Sequence, residues 1–207
     1  MSSRAAAADY RWFQQRYGDL ETYCFTLVHR ISPGELLQAL GAEPQMRIVS
    51  VDGLRQPAQK AIVERDQILA GVTAVGEWCL MVEIGGFLGA LDGAMRPLSK
   101  GRTVVSNQRG ISGESYFSRW HDGALCLRFD HAFAGDREGS HPDEYLTDMR
   151  ESGYDIRDDE DDDSDIDFER QFAAGFALSE RITGIELTST LFTSAEFVAG
   201  EARWQDW

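Results

Sequence analysis

The sequence predicts an α+β domain in which a mainly antiparallel sheet of five to seven strands is covered by four or five helices. Short apolar segments rich in β-branched and aromatic residues follow one another over the first two thirds of the chain, and several helical segments carry capping residues. Strands that succeed one another without an intervening helix pair as antiparallel neighbours. With 207 residues, of which 43% are hydrophobic, we expect a single domain over residues 1–207.

Strand signals begin with ETYCFTLVHR at residues 21–30, which is apolar on both faces and is therefore predicted to lie centrally in the sheet. The segment GEWCLMVEIGGFLGA, residues 76–90, predicts a strand, a turn at Gly85 and Gly86, and a second strand. The dipeptide Asp122-Gly123 between two apolar runs is a strong hairpin signal. Further strands are predicted near residues 46–54, 102–107, 114–120 and 124–130.

Helix signals are clearest near residues 32–41. Ser32 is a good N-cap, Glu35 is placed to complete a capping box, and Gly41 suits the left-handed conformation that ends a helix. Residues 55–76 are ambiguous, and the segment AQKAIVERDQILAGV within them is compatible with a helix. Further helices are predicted near residues 9–17 and 169–183. Ser140 with Asp143 predicts a helix near residues 141–152, and a capping box of Thr193 with Glu196 predicts one near residues 194–204.

Negative charge is concentrated in one stretch of the chain. The formal net charge is −15, and ten acidic residues with a single arginine fall between Asp155 and Glu169. A continuous run of like charges repels itself, so we predict a flexible acidic loop at residues 155–167. No basic run of five or more residues occurs. Direct binding to nucleic acid through phosphate neutralisation is therefore not expected.

The acidic run has three possible interpretations: a metal site, an imitation of nucleic acid, or a solvated loop that links folded segments or recruits a partner. As a calcium site its ligands would include Asp159, Asp161, Asp163 and Glu169. An EF-hand loop, however, needs a glycine at its sixth position, where this run has Asp163. A nucleic-acid mimic needs carboxylates fixed on a folded surface. The sequence favours the solvated loop or interaction tail, and we expect no metal and no cofactor.

Glu83 is the single carboxylate with the strongest claim to chemistry, because it interrupts an apolar strand. A buried carboxyl has a raised pKa, a property common in general acids and bases. His29 and His121 are the candidate histidine partners. The sequence favours a structural explanation of Glu83, as a paired carboxylate or on a strand face open to solvent. It likewise favours packing or surface roles for the histidines.

The sequence lacks the motifs that would support several functional classes. The four histidines show no HxH or HExxH spacing, no CxxC occurs, and neither GxGxxG nor GxxxxGK[ST] is present. No apolar run approaches the roughly 20 residues that span a bilayer. The N-terminal MSSRAAAADYRW lacks the apolar core of a signal peptide. With three widely separated cysteines, the sequence predicts a cytoplasmic protein with reduced thiols.

The order of elements resembles a family of uncharacterised actinobacterial proteins, a domain of unknown function. The resemblance rests on ETYCFTLVHRISPGELLQALGA, GEWCLMVEIGGFLGA, LSKGRTVVS, YFSRWHDGALCLRFD and GFALSERITGIELT, and it covers residues from about 20 to about 190. It implies a bacterial cytoplasmic protein and brings no catalytic residues. The acidic run is an addition to that pattern.

These observations lead to two functional hypotheses. The first is a non-enzymatic interaction domain that binds a protein partner, of basic character, partly through its acidic surface. An immunity-type factor that neutralises a basic toxin or effector is one form of it, because charge steering accelerates association with cationic partners. The alternative is an enzyme of unidentified class that uses Glu83 and a histidine.

Overall fold

One antiparallel sheet of nine strands forms the centre of the structure, a computed structural model that describes residues 4–110, 115–156 and 167–207. In spatial order the strands run β2-β9-β3-β4-β1-β5-β6-β7-β8, so that β1 lies at the middle of the sheet. The strands are β1 (Tyr23–His29), β2 (Met46–Val49), β3 (Ile68–Val75), β4 (Trp78–Ile84), β5 (Thr103–Arg109), β6 (Tyr116–His121), β7 (Ala124–Asp130), β8 (Arg137–Glu138) and β9 (Glu196–Ala202).

Seven α-helices accompany the sheet in the described part of the chain. Short 3-10 turns precede the first helix, connect β4 to the fourth, and follow β9. None of these helices combines the length and hydrophobicity needed to cross a membrane. The helices are α1 (Arg11–Tyr17), α2 (Pro33–Ala39), α3 (Val51–Arg65), α4 (Asp92–Leu98), α5 (Leu146–Ser152), α6 (Phe168–Thr183) and α7 (Ser189–Ser194).

The two faces of the sheet bury separate hydrophobic cores. On one face, Phe25 of β1 meets Phe13 of α1, Phe176 of α6 and Phe192 of α7, with ring centroids 5.6, 5.4 and 5.1 Å away. Because successive side chains of a strand alternate between faces, Val28 lies on the other face. There it packs in a second core with Leu36 and Leu37 of α2, and Met95 of α4. The sheet is therefore covered on both sides.

The best-marked local signals are confirmed. The side chain of Ser32 accepts the Glu35 N–H while the Glu35 carboxylate accepts the Ser32 N–H, so the predicted capping box forms. Gly41 has a φ of 65°. Asp122 and Gly123 both have positive φ and join β6 to β7, as expected for a tight hairpin.

Two local predictions are wrong because tertiary contacts outweigh them. Gly85 has positive φ, but the chain then enters a 3-10 turn at Leu88–Ala90 and not a returning strand. Residues 194–204, predicted as a helix from Thr193 and Glu196, form strand β9 between β2 and β3. Phe197 and Ala199 fill one core there while Val198 packs on the other, the alternation of a strand.

The predicted counts of five to seven strands and four or five helices are also too low. β8 has two residues and β9 was assigned to a helix, so both strands were missed. Residues 55–76 divide between α3 and β3. The helix predicted near 141–152 begins only at Leu146, because Ser140 and Asp143 belong to the preceding turns. The helix near 169–183 is confirmed as α6.

Candidate functional site

Glu83 lies near the end of β4 and is completely buried. One of its carboxylate oxygens accepts the Leu88 N–H at 2.8 Å and the other accepts the Gly89 N–H at 3.0 Å. Both donors belong to the 3-10 turn that follows β4. The turn that replaces the predicted strand therefore supplies the hydrogen bonds that a buried carboxylate requires.

A small polar cluster surrounds Glu83 on the same face of the sheet. Cys24, paired with Glu83 across β1 and β4, lies 3.2 Å from the hydroxyl of Ser106, which lies 3.1 Å from the hydroxyl of Thr26. Gly89 closes over this cluster: a Cβ built there would lie 2.7 Å from Cys24 Sγ and 2.9 Å from Ser106 Oγ. Only glycine allows the turn to approach this closely.

Burial governs the electrostatics of the cluster. It raises the pKa of Glu83 to about 7, although the two amide donors and Cys24 favour the ionised form. Burial and the neighbouring Glu83 carboxylate also raise the pKa of Cys24 far above its ordinary value. Cys24 is thus held as a neutral thiol, which is a poor nucleophile. The cluster holds a proton-binding carboxyl beneath a closed turn, without access from solvent.

The two candidate histidines lie at the other end of the sheet from Glu83. In the register of β1 and β4, His29 pairs with Trp78, whereas Cys24 pairs with Glu83, five residues away. At about 3.4 Å per residue, that offset corresponds to roughly 17 Å. His121 lies at the same end as His29 and contacts the Thr103 hydroxyl at 3.0 Å through Nδ1. The structure does not bring either histidine to Glu83.

A third histidine, His131, forms a buried polar group that the sequence analysis missed. Its Nδ1 lies 2.6 Å from the Tyr154 hydroxyl, and burial lowers its pKa to about 3, with a backbone interaction with Tyr116 opposing that shift. Within the described residues, its Nε2 and both amide atoms of Asn107 lack a hydrogen bond of normal geometry. A Cβ built at Gly175 of α6 would lie 2.7 Å from the ring of His131. Only glycine at this position of α6 allows the helix to approach His131 and Asn107 so closely.

A surface groove of about 710 Å³ lies between α1, α5 and α6. Gly153, just after α5, and Asp167, just before α6, both line this groove. We call this feature the arginine groove, and its wall is formed by Ala6, Ala7, Ala8, Arg11, Gln14, Gln15, Arg150, Glu151, Ser152, Gly153, Asp167, Glu169, Arg170 and Ala173.

The candidate metal ligands are only partly visible. Asp159, Asp161 and Asp163 lie outside the described residues. Glu169 is exposed, and its carboxylate accepts a hydrogen bond from the Gln14 amide at 3.1 Å. In the described ranges, no group of three or more His, Cys, Asp or Glu side chains is arranged to hold a metal ion.

Ion pairs balance much of the charge on the folded body. Arg181 reaches Asp148 at 3.0 Å and Glu151 at 2.6 Å, and Arg65 reaches Glu201 at 2.7 Å. Among the described residues, eight arginines make such pairs: Arg16, Arg47, Arg55, Arg65, Arg119, Arg128, Arg137 and Arg181.

Comparison with known proteins places the chain in a family. A family profile matches residues 3–206, which is nearly the whole sequence. The chain belongs to a family of unknown function, DUF6461. This membership confirms the resemblance of the quoted segments to an uncharacterised family. No curated protein and no solved structure gives a significant match.

Proposed function

We propose that this member of DUF6461 is a non-enzymatic interaction domain whose acidic run recruits a cationic protein partner. One observation carries the proposal: the run between Asp155 and Glu169 has ten acidic residues and one arginine, a net of −9 out of the formal net charge of −15 of the whole chain. The surplus charge is thus concentrated in one short stretch of the sequence. Such a charge steers an oppositely charged partner and raises its association rate.

The proposal extends to the cellular setting and the kind of partner. The three cysteines are free and buried, which suits a reducing cytoplasm. The resemblance to actinobacterial proteins suits a bacterial host. A basic toxin or effector, neutralised by this domain acting as an immunity-type factor, is the partner that we propose within that setting. Its cationic surface would complement the acidic run.

The geometry favours binding over the enzymatic alternative. Glu83 is sealed beneath the Leu88–Ala90 turn, and the histidines proposed to act with it lie at the other end of the sheet. A general acid or base must come within hydrogen-bond reach of a substrate. The arrangement around Glu83 gives a stabilising role for the carboxylate, and we do not assign it to catalysis.

The test is affinity capture from an extract of the native host with matched variants. One variant carries Asp161→Asn, Asp162→Asn and Asp163→Asn, and the control carries Glu43→Gln, Glu77→Gln and Asp136→Asn, three exposed carboxylates elsewhere. We expect the native chain and the control to retain basic proteins. The variant of the acidic run should not retain them, and high salt should release them from the other two chains. Identical retention by all three chains would refute the proposal.

A further inference from the structure

The sheet has two edges, and the longer one is strand β2. β8, at the other edge, has two residues, whereas β2 has four, Met46–Val49. Each strand between them has a neighbour on both sides. An edge strand presents unpaired N–H and C=O groups to any strand that comes alongside it. β2 is therefore the edge at which a further strand gains most hydrogen bonds.

The pairing of β2 with β9 determines which of its backbone groups face outward. The N–H of Ser50, at the end of β2, donates to the Ala195 carbonyl at 2.9 Å. In an antiparallel pair only alternate residues bond to the neighbouring strand, so Ile48 also faces β9. Arg47 and Val49 therefore direct their N–H and C=O groups away from the sheet. None of these groups has a hydrogen bond to a described residue.

The side chains at this edge include exposed apolar surface. Val49 is 59% exposed, and Met46 and Ile48 are only partly buried against the core. The cation of the strand, Arg47, forms an ion pair with Glu196 of β9. The β2 edge thus combines open backbone groups, uncovered apolar side chains and one fixed pair of opposite charges.

Charge and register select a second copy of β2 as the strand that fits. Antiparallel pairing that is symmetric about Ile48 places Arg47 of each copy opposite Val49 of the other, and it pairs every outward-facing backbone group. Symmetry about Arg47 would set two like charges opposite each other, which is destabilising. Symmetry about Val49 would set Arg47 opposite Val51, which belongs to α3 and not to a strand. Pairing about Ile48 is the register without either cost.

We propose that the β2 edge joins two copies of this chain about a two-fold axis, so that their sheets continue into one. Val49 pairs with Glu196 inside its own chain. In the dimer, each Arg47 therefore lies on the same face as a Glu196 carboxylate of both copies, and these charges attract. A two-fold contact uses the same patch on both copies. Because one short strand buries little area, we expect a weak dimer, with a Kd on the order of 10–100 µM.

The experiment is sedimentation velocity of the full chain at a series of concentrations that spans this Kd. The native chain should form dimers as its concentration rises. Val49→Lys sets a lysine opposite Arg47 of the other copy and should weaken association on the order of tenfold or more. Within its own chain the new lysine is opposite Glu196, so the change suits the fold. The control Val63→Lys, at a 75% exposed position of α3, should associate like the native chain.

A charge-reversal pair tests the register itself. Arg47→Glu alone should also weaken association, because it sets a carboxylate near the Glu196 carboxylates of both copies. When this chain is mixed with the chain that carries Val49→Lys, the new glutamate faces the new lysine, and a dimer of the two different chains should form. A mixture that associates no better than either variant alone would contradict the register.

Hydrogen exchange gives a measure that needs no variant. The amides of Arg47 and Val49 should become protected as the native chain is concentrated, because they gain acceptors in the other copy. A native chain that stays monomeric over the whole range would overturn the proposal, as would equal association by the Val49→Lys chain and its control. The proposal does not depend on the acidic run or on its cationic partner.

Discussion

The backbone N–H of Gly89 donates to the Glu83 carboxylate at 3.0 Å, so a glycine with no side chain and a fully buried acid hold each other in place. The same glycine lies against Cys24 and Ser106. These contacts hold the connection between β4 and α4 against the face of the sheet that carries Glu83.

Replacing Gly89 with alanine should destabilise the fold. The added Cβ would lie 2.7 Å from Cys24 Sγ and would overlap the Thr26 hydroxyl, so we expect a loss of about 1–3 kcal/mol in the free energy of unfolding. Urea denaturation measures it. The double variant Thr26→Ala with Gly89→Ala should recover part of the loss, because it removes the nearest obstacle. Strictly additive effects of the two changes would contradict the described packing.

Glu83 should make stability fall as pH rises from about 4.5 to about 7. Burial raises its pKa in the folded protein from 4.5 to about 7, so the folded state binds the proton more tightly than the unfolded chain. This contribution, of about 3 kcal/mol, is complete below pH 4.5 and is lost above the folded pKa.

The matched variants for this pH dependence are Glu83→Gln and Glu43→Gln. Chemical denaturation at a series of pH values should show that Glu83→Gln removes the decline, while Glu43→Gln, at an exposed position, preserves it. A Glu83→Gln variant with the pH profile of the native chain would mean that the carboxyl is not held in this environment.

Gly200 provides a test of whether residues 196–202 are a strand or a helix. In β9, a Cβ at this position would lie 2.5 Å from the Glu43 carbonyl oxygen, so Gly200→Ala should cost about 1–3 kcal/mol. In a helix, the same change would stabilise by about 1 kcal/mol. Gly34→Ala in α2 is the reference, because no atom lies within 4 Å of its added Cβ. The two substitutions should have opposite signs in urea denaturation.

The three cysteines should be unreactive in the native protein. Cys24, Cys79 and Cys126 are buried and unpaired, and burial raises the pKa of Cys79 to about 12. In the native protein, a thiol reagent at pH 8 should label them no faster than the whole domain unfolds. In denaturant, the reagent should label all three at once. A cysteine that reacts within seconds in the absence of denaturant would show that its described burial is incorrect.

The sequence predicted those elements whose signals are local. β1 is recognisable because both of its faces are apolar, and α2 because Ser32 and Glu35 complete a capping box within four residues. The β6–β7 hairpin follows from Asp122-Gly123 for the same reason. In each case, the residues that determine the conformation are neighbours in the chain.

Where the prediction failed, the deciding contacts lie outside the local sequence signal. Glu196 carries the capping-box signal, yet Phe197 pairs with Ile48 of β2 and the segment becomes a strand. Glu83 was identified from its apolar surroundings, but its amide donors at Leu88 and Gly89 depend on a turn that the Gly-Gly signal did not specify. The arginine groove joins α1, α5 and α6, and no sequence spacing links Arg11 with Arg150.

The position of β9 determines when the fold can be completed. This strand is one of the last elements of the chain, yet it pairs with both β2 and β3, and the Ile48–Phe197 pairing spans most of the sequence. During synthesis, β3 has no partner on its outer side until residues 196–202 have emerged, and β2 has no place in the sheet. A nascent chain halted before that point would present an open strand edge, which is prone to aggregation and invites chaperones.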